Sequence, residues 1–243
     1  AHYLAKVMRV EPGSVAILCD DVTGEWACTV AEVGKRHVTL MPGERLRPRE
    51  AVPDFWLCTA LLKKDRFDLV LEKATELGVA EIRPMVTRRC VATSLNAERA
   101  RAIVTEAAEQ CARTALPVLH EPLKLERLLA AWPADRKLFF ADELGGEPAA
   151  EAFAANPASP RRRGPPAGER QTEGDPRLRG GSALLVGPEG GFDDAERAAI
   201  RALPQARPVT LGPRILRGET AAIAGTALWM GVAGDWHNSL ARG

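Results

Sequence analysis

Glu189 stands alone in a loop that is otherwise without side-chain bulk, Gly187-Pro188-Glu189-Gly190-Gly191. The loop follows Leu184-Leu185-Val186, an apolar run that reads as a buried strand. In open α/β sheets, ligands bind beyond the carboxyl ends of strands. Glycines there let backbone amides and carbonyls come close to a ligand. Such a loop suits adenine, ribose or phosphate, or else it is a plain tight turn. It is not a Walker loop, because no Lys-Ser/Thr follows, and it is not G-x-G-x-x-G.

A second loop carries more chemistry. Leu211-Gly212-Pro213-Arg214-Ile215-Leu216-Arg217-Gly218-Glu219-Thr220 leaves another apolar segment and runs into a helical pattern. Two arginines and one carboxylate lie in or beside the stretch between Gly212 and Gly218. Backbone N–H groups at a helix N-terminus attract anions, which suits Arg217 and its neighbours to an anionic ligand. Glu219 also has a plainer role there, as a complement to the helix dipole. Arg214 and Arg217 have one too, as partners of nearby acids.

Other residue types point away from metals and disulfides. Cys19, Cys28, Cys58, Cys90 and Cys111 are odd in number, and none forms a C-x-x-C pair. They read as free thiols of a reducing cytoplasm. His2, His37, His120 and His237 are scattered, so no metal is expected. Net charge is +1, from 33 basic and 32 acidic residues, so any nucleic-acid contact must come from local patches. The candidates are Arg45, Arg47 and Arg49, Lys63-Lys64, Arg88-Arg89, and Arg161 to Arg163; each is also an ordinary solvated surface. No apolar run reaches the roughly 20 residues of a membrane span, and the N-terminus shows no signal-peptide pattern.

The elements that must position these loops follow from periodicity. Residues 1–52 read as short β-strands broken by Pro12-Gly13, Thr23-Gly24, Gly34 and Pro42-Gly43, which suggests a small barrel. Arg47 to Pro53 reads as a linker. Strands are expected at Phe55–Leu62, Ile82–Val86, Lys137–Ala141, Ser182–Val186 and Pro208–Leu211. Phe67, Val70, Leu71, Ala74 and Leu77 form one face of a helix over 65–77, closed by Gly78. Asn96 caps a helix predicted to run to Arg113, with Ile103, Val104, Ala107, Ala108 and Cys111 inward. Asp193 with Glu196 is a capping-box start for a helix to Leu203. The last helix covers about 219–232. Alternation of strand and helix means an α/β domain over 53–243 with a mainly parallel sheet. Residues 156–181 are rich in Pro, Gly and Arg and read as a flexible insertion.

The chain resembles the bacterial ribosomal RNA small-subunit methyltransferase E family of the SPOUT superfamily. The matching stretches are HYLAKVMRVEPG (2–13), KKDRFDLVLEKATELGVAEIRPMVTRR (63–89), EAAEQCARTALP (106–117), LLVGPEGGF (184–192) and LGPRILRGETA (211–221). The last two are specific to the family, and all five occur in its order. The resemblance implies an N-terminal PUA-like β-barrel for RNA (1–52) and a C-terminal SPOUT trefoil-knot methyltransferase domain. It implies S-adenosylmethionine as cofactor, held by Gly187, Pro188, Glu189, Gly190, Gly191, Leu211, Gly212, Ile215, Leu216 and Thr220. It implies a homodimer, packed closely through the Ala- and Gly-rich segment 220–233.

The implied activity is methylation of N3 of a uridine in 16S rRNA of the small ribosomal subunit, by resemblance position 1498. Uracil N3 carries a proton at neutral pH, so a base is needed. Glu189 and Glu219 are the candidates for the base, and Arg217 for a cation that stabilises the developing oxyanion. Lys6, Arg9, Arg88 and Arg89 are the candidate RNA contacts. Three departures stand out. Gly218 occupies a position where the family more often has Thr, the insertion at 156–181 is longer than the family's usual connection, and the first barrel strand is expected to be missing. The alternatives are a ribose 2′-O or guanine N1 methyltransferase, and an assembly factor that binds RNA without catalysis. Intact glycine loops argue against the last.

Overall fold

The computed structural model describes residues 3–156 and 181–237. The insertion expected at 156–181 therefore lies, but for its two end residues, outside the described residues. The chain divides into two units: one runs to Glu50 and takes in Ala112–Ala115, and the other holds the rest from Ala51.

In the first unit, β1 (Val15–Cys19), β2 (Gly24–Val33) and β3 (Val38–Pro48) form an antiparallel sheet in that order. The Asp20 carboxylate ties the β1–β2 turn. Its Oδ2 accepts from the Thr23 hydroxyl at 2.6 Å, and its Oδ1 from the amides of Val22, Thr23 and Gly24. Those donors hold its pKa far below the usual carboxylate range, the Thr23 hydroxyl most of all. Gly24, at φ +122°, is required, because a Cβ would stand 2.2 Å from the Arg47 carbonyl oxygen. Two expectations are corrected here. Residues 3–7 form a π-helical turn rather than a strand. β3 runs through Pro42-Gly43 and into Arg47-Pro48, where a turn and a linker are expected. As an edge strand with irregular register, β3 tolerates a proline, and Arg47 is held by the Glu25 carboxylate at 2.6 Å.

The second unit is a sheet in which every pairing is parallel, in the order β6-β5-β4-β10-β8-β11-β9 with β7 also on β5. Its strands are β4 (Phe55–Ala60), β5 (Glu81–Val86), β6 (Val118–Leu119), β7 (Leu123–Lys124), β8 (Lys137–Ala141), β9 (Glu147–Pro148), β10 (Ser182–Val186) and β11 (Ala206–Thr210). The helices are α1 (Lys64–Glu76), α2 (Ala97–Gln110), α3 (Leu125–Ala130), α4 (Ala149–Ala154), α5 (Asp194–Arg201) and α6 (Gly218–Val232). Parallel strands need crossovers that cover both faces. β4 and β10 accordingly bury every residue. One face packs Val70, Val104, Phe153 and Trp229 from α1, α2, α4 and α6. There Phe55 and Trp229 stack at 4.1 Å between centroids. The other face packs Leu125, Leu128 and Ile200 from α3 and α5.

Local signals explain the helix ends. α1 buries Phe67, Val70, Leu71 and Ala74, and Gly78 follows its C-cap at φ +95°. The Asn96 side chain accepts from the Arg99 amide at 3.0 Å at the start of α2. α2 stops at Gln110, short of Arg113, because Ala112 turns to φ +57° and carries the chain into the first unit. Ile103 and Cys111, expected inward, are half-buried. α5 starts on a full capping box between Asp193 and Glu196.

Candidate active site

β10 and β11 flank β8 and all three run the same way, so the loops that leave them converge at one edge of the sheet. They enclose a cavity of about 280 Å³. Residues 141–143 line it after β8. Gly187, Pro188, Glu189, Gly191 and Phe192 line it after β10, and Leu211 to Gly218 after β11.

The glycines mark places where the cradle has no room. A Cβ on Gly187 would stand 2.9 Å from the Phe192 ring. A Cβ on Gly191, at φ +66°, would stand 2.6 Å from Glu143 Oε1. A Cβ on Gly218 would meet Leu62 at 3.0 Å and the Gly187 carbonyl oxygen at 3.2 Å, so the second and third loops touch there. Those small side chains leave backbone N–H and C=O groups open to a ligand.

Charge is arranged unevenly around the cavity. Asp142 is buried and is shared by Arg197, which it contacts closely, and by Arg201 at 2.6 Å. Arg197 also reaches Glu143 Oε1 at 3.0 Å. Arg214 and Arg217, on the opposite loop, are exposed and have no carboxylate partner among the described residues. Glu189 is exposed at the cavity and is likewise without an ion pair among the described residues.

The expected site residues fall into three groups. Gly187, Pro188, Glu189, Gly191, Leu211, Gly212, Ile215, Leu216 and Arg217 come together on the cavity. Gly190, Thr220 and Glu219 lie outside its lining. The Gly190 carbonyl accepts from Arg89 Nη1 at 2.9 Å, and Thr220 is exposed on α6. Glu219 is buried against Arg66 of α1, its Oε2 without a hydrogen-bond partner. The basic candidates divide as well. Lys6 and Arg9 are exposed in the first unit. Arg88 and Arg89 clamp the glycine loop and the helix after it. The Arg88 amide donates to Glu196 Oε1 at 2.7 Å, and its guanidinium meets Asp193 Oδ2 at 3.0 Å.

Asp142, Glu143 and Arg197 were not singled out by sequence reasoning. A signal was available: Ala141-Asp142-Glu143-Leu144-Gly145-Gly146 leaves β8 as Val186-Gly187-Pro188-Glu189-Gly190-Gly191 leaves β10, a strand followed by an acid and paired glycines.

Comparison with known proteins bears on both units. A family model described as RNA methyltransferase domain matches residues 49–230. A second, RNA methyltransferase PUA domain, matches residues 1–40. The ribosomal RNA small subunit methyltransferase E of Bacillus subtilis is 30% identical, over 90% of this chain and 82% of its own. That of Rickettsia conorii is 27% identical, over 93% of this chain and 84% of its own. Among solved structures, the Neisseria gonorrhoeae ribosomal RNA small subunit methyltransferase E bound to S-adenosyl methionine superposes with a TM-score of 0.76. It is 25% identical, over 96% of this chain and 90% of its own. A Legionella pneumophila protein solved with the bound cofactor SAM gives a TM-score of 0.75 at 27% identity, over 96% and 89%. These neighbours give the second unit the SPOUT methyltransferase fold and the first a PUA-like antiparallel sheet. With one family model over each part of the chain and named relatives aligned across nine-tenths of it, this chain belongs to the ribosomal RNA small subunit methyltransferase E family.

Proposed function

We propose that this protein transfers a methyl group from S-adenosylmethionine to N3 of a uridine in 16S rRNA of the small ribosomal subunit. The observation that carries the reading is the glycine cradle at the converging ends of β8, β10 and β11, with Arg217, which has no carboxylate partner among the described residues, at its rim. The residues fit the cofactor. A side chain at Gly187 would press on the Phe192 ring and one at Gly191 would be strained at φ +66°, and the backbone of 187–191 and 211–216 would hold adenosine and methionine groups. Bound there, S-adenosylmethionine supplies a methyl carbon made electrophilic by its positively charged sulfur.

The chain's own residues do the rest. Placing the uracil N3 beside the cradle converts an encounter into a positioned reaction, which supplies much of the barrier reduction. The proton on N3 must leave, and the Glu189 carboxylate, exposed at the cavity, accepts it. The negative charge left on uracil spreads to its carbonyl oxygens, where the Arg217 guanidinium stabilises it. Glu219, turned onto Arg66, is a poor base in this geometry and serves to anchor the start of α6. Lys6 and Arg9 contact rRNA phosphates; such contacts position a large folded RNA rather than read its bases.

The same reading makes the protein a homodimer. On α6, Thr220, Ala224, Ala227 and Gly231 follow one another at helical spacing, and none of them is fully buried within the chain. Light scattering tests the dimer. The activity is tested by incubating small subunits from a strain lacking this protein with labelled cofactor, then separating nucleosides by mass spectrometry. Label in 3-methyluridine supports the reading; label in a ribose-methylated nucleoside refutes it.

A further inference from the structure

Glu143 is the one carboxylate of the cavity that is both held and half-open. Its Oε1 is fixed by Arg197 Nη2 at 3.0 Å, while its side chain remains 40% exposed. Among the described residues its Oε2 has no hydrogen-bond partner. The loop after β10 is shaped around it. Gly191 takes a φ of +66°, and a Cβ there would fall 2.6 Å from Oε1 and 2.9 Å from Oε2. The carboxylate thus occupies the place where any other residue type would put its side chain, facing the cavity that both line.

The charges around it decide what it can hold. Asp142 and Glu143 face Arg197 and Arg201, two acids against two cations. The cluster is therefore balanced, with no surplus negative charge to draw a cationic group. A carboxylate whose charge is already met still has strong acceptor lone pairs. It suits neutral hydroxyl donors. The lining acid whose charge is unmet is Glu189, which has no ion pair among the described residues.

We infer that Glu143 is a cofactor-binding residue that accepts hydrogen bonds from the ribose hydroxyls of the adenosyl group. This rests on the proposal that the cavity takes S-adenosylmethionine. An acid beside a glycine loop, at the carboxyl end of a neighbouring parallel strand, is the arrangement by which other open sheets hold a ribose. Arg197 positions the carboxylate, and Asp142 positions Arg197.

The test is titration calorimetry on the full chain with three probes: S-adenosylmethionine, 5′-methylthioadenosine, and its 2′,3′-dideoxy analogue. The 5′-methylthioadenosine keeps the ribose but lacks the amino-acid group. In the wild type, removing both hydroxyls should weaken binding by at least about tenfold. Glu143→Gln should weaken S-adenosylmethionine and 5′-methylthioadenosine alike by about the same factor, and leave the dideoxy analogue unchanged. A thermal melt of the variant checks that it is folded, and the comparison among probes remains valid if it is somewhat less stable. Loss confined to S-adenosylmethionine would overturn the inference in favour of the ammonium group. An unchanged preference for hydroxyls in the variant would overturn it in favour of a structural role. A wild type that binds none of the three would refute the cofactor reading itself, an outcome separable from the others.

Discussion

Arg89 Nη1 donates to the Gly190 carbonyl oxygen at 2.9 Å, joining the segment after β5 to the loop after β10 across about a hundred residues of chain. A side chain whose type suggests an RNA contact therefore commits one of its donors to the cradle. Arg89→Ala should weaken cofactor binding by about 1 kcal/mol, roughly fivefold in Kd. Affinity for small subunits should stay within about twofold. Calorimetry against filter binding separates the two; the reverse pattern would mean that Arg89 meets RNA directly.

Arg217 has no acid partner among the described residues, so its removal leaves no buried charge behind. Arg217→Ala should lower kcat on the order of 100- to 1,000-fold, the usual effect of losing one group that stabilises an oxyanion. Cofactor Kd should change little. A single-turnover assay with saturating subunits reads the first, and calorimetry the second. Equal losses of kcat and of RNA affinity would assign Arg217 to phosphate.

Gly191→Ala places a methyl group against the Glu143 carboxylate and forces a non-glycine residue to φ +66°. The expected destabilisation is about 1–3 kcal/mol, or roughly 2–10 °C in melting temperature for a chain of this size. Cofactor binding should fall with it. A melting temperature within a degree of the wild type would show that the loop has another conformation open to it.

The capping box of α5 gives a pH signature. The Asp193 carboxyl is held below its ordinary 3.8, first by the Glu196 amide and then by the Arg88 guanidinium. A carboxylate with a depressed folded pKa contributes stability that is fully present above its unfolded value and is lost as pH falls through the folded one. The stability difference between the wild type and Asp193→Ala should therefore be constant at neutral pH and shrink below about pH 4. Urea titrations at several pH values measure it. A difference that persists undiminished at the acid end would place the cap's contribution elsewhere.

Much of the second unit was legible because its signals are local. Lys137–Ala141 and Ser182–Val186 are strands at the bounds expected from their apolar runs. Asp193 and Glu196 announced their helix three residues apart. α3 and α4 escaped notice because six residues hold too few turns to show a period. β3 passes through Pro42 because its edge position spares the missing N–H, a fact of sheet order that no local pattern contains. The glycine loops were legible as glycine. The carboxylate that one of them accommodates was not, since Glu143 and Arg197 meet across 54 residues.

A Cβ on Gly218 would stand 3.2 Å from the Gly187 carbonyl oxygen and 3.0 Å from Leu62. Three segments distant in sequence therefore share one small volume. A side chain at 218 needs Leu62 and the Gly187 carbonyl oxygen to give by a few tenths of an ångström, and a smaller residue at 62 relieves the tighter of the two contacts. Drift at these two positions is thus epistatic: a bulkier 218 should be inherited with a lighter 62, and transplanting either one by itself into this chain should cost stability that the pair together restores.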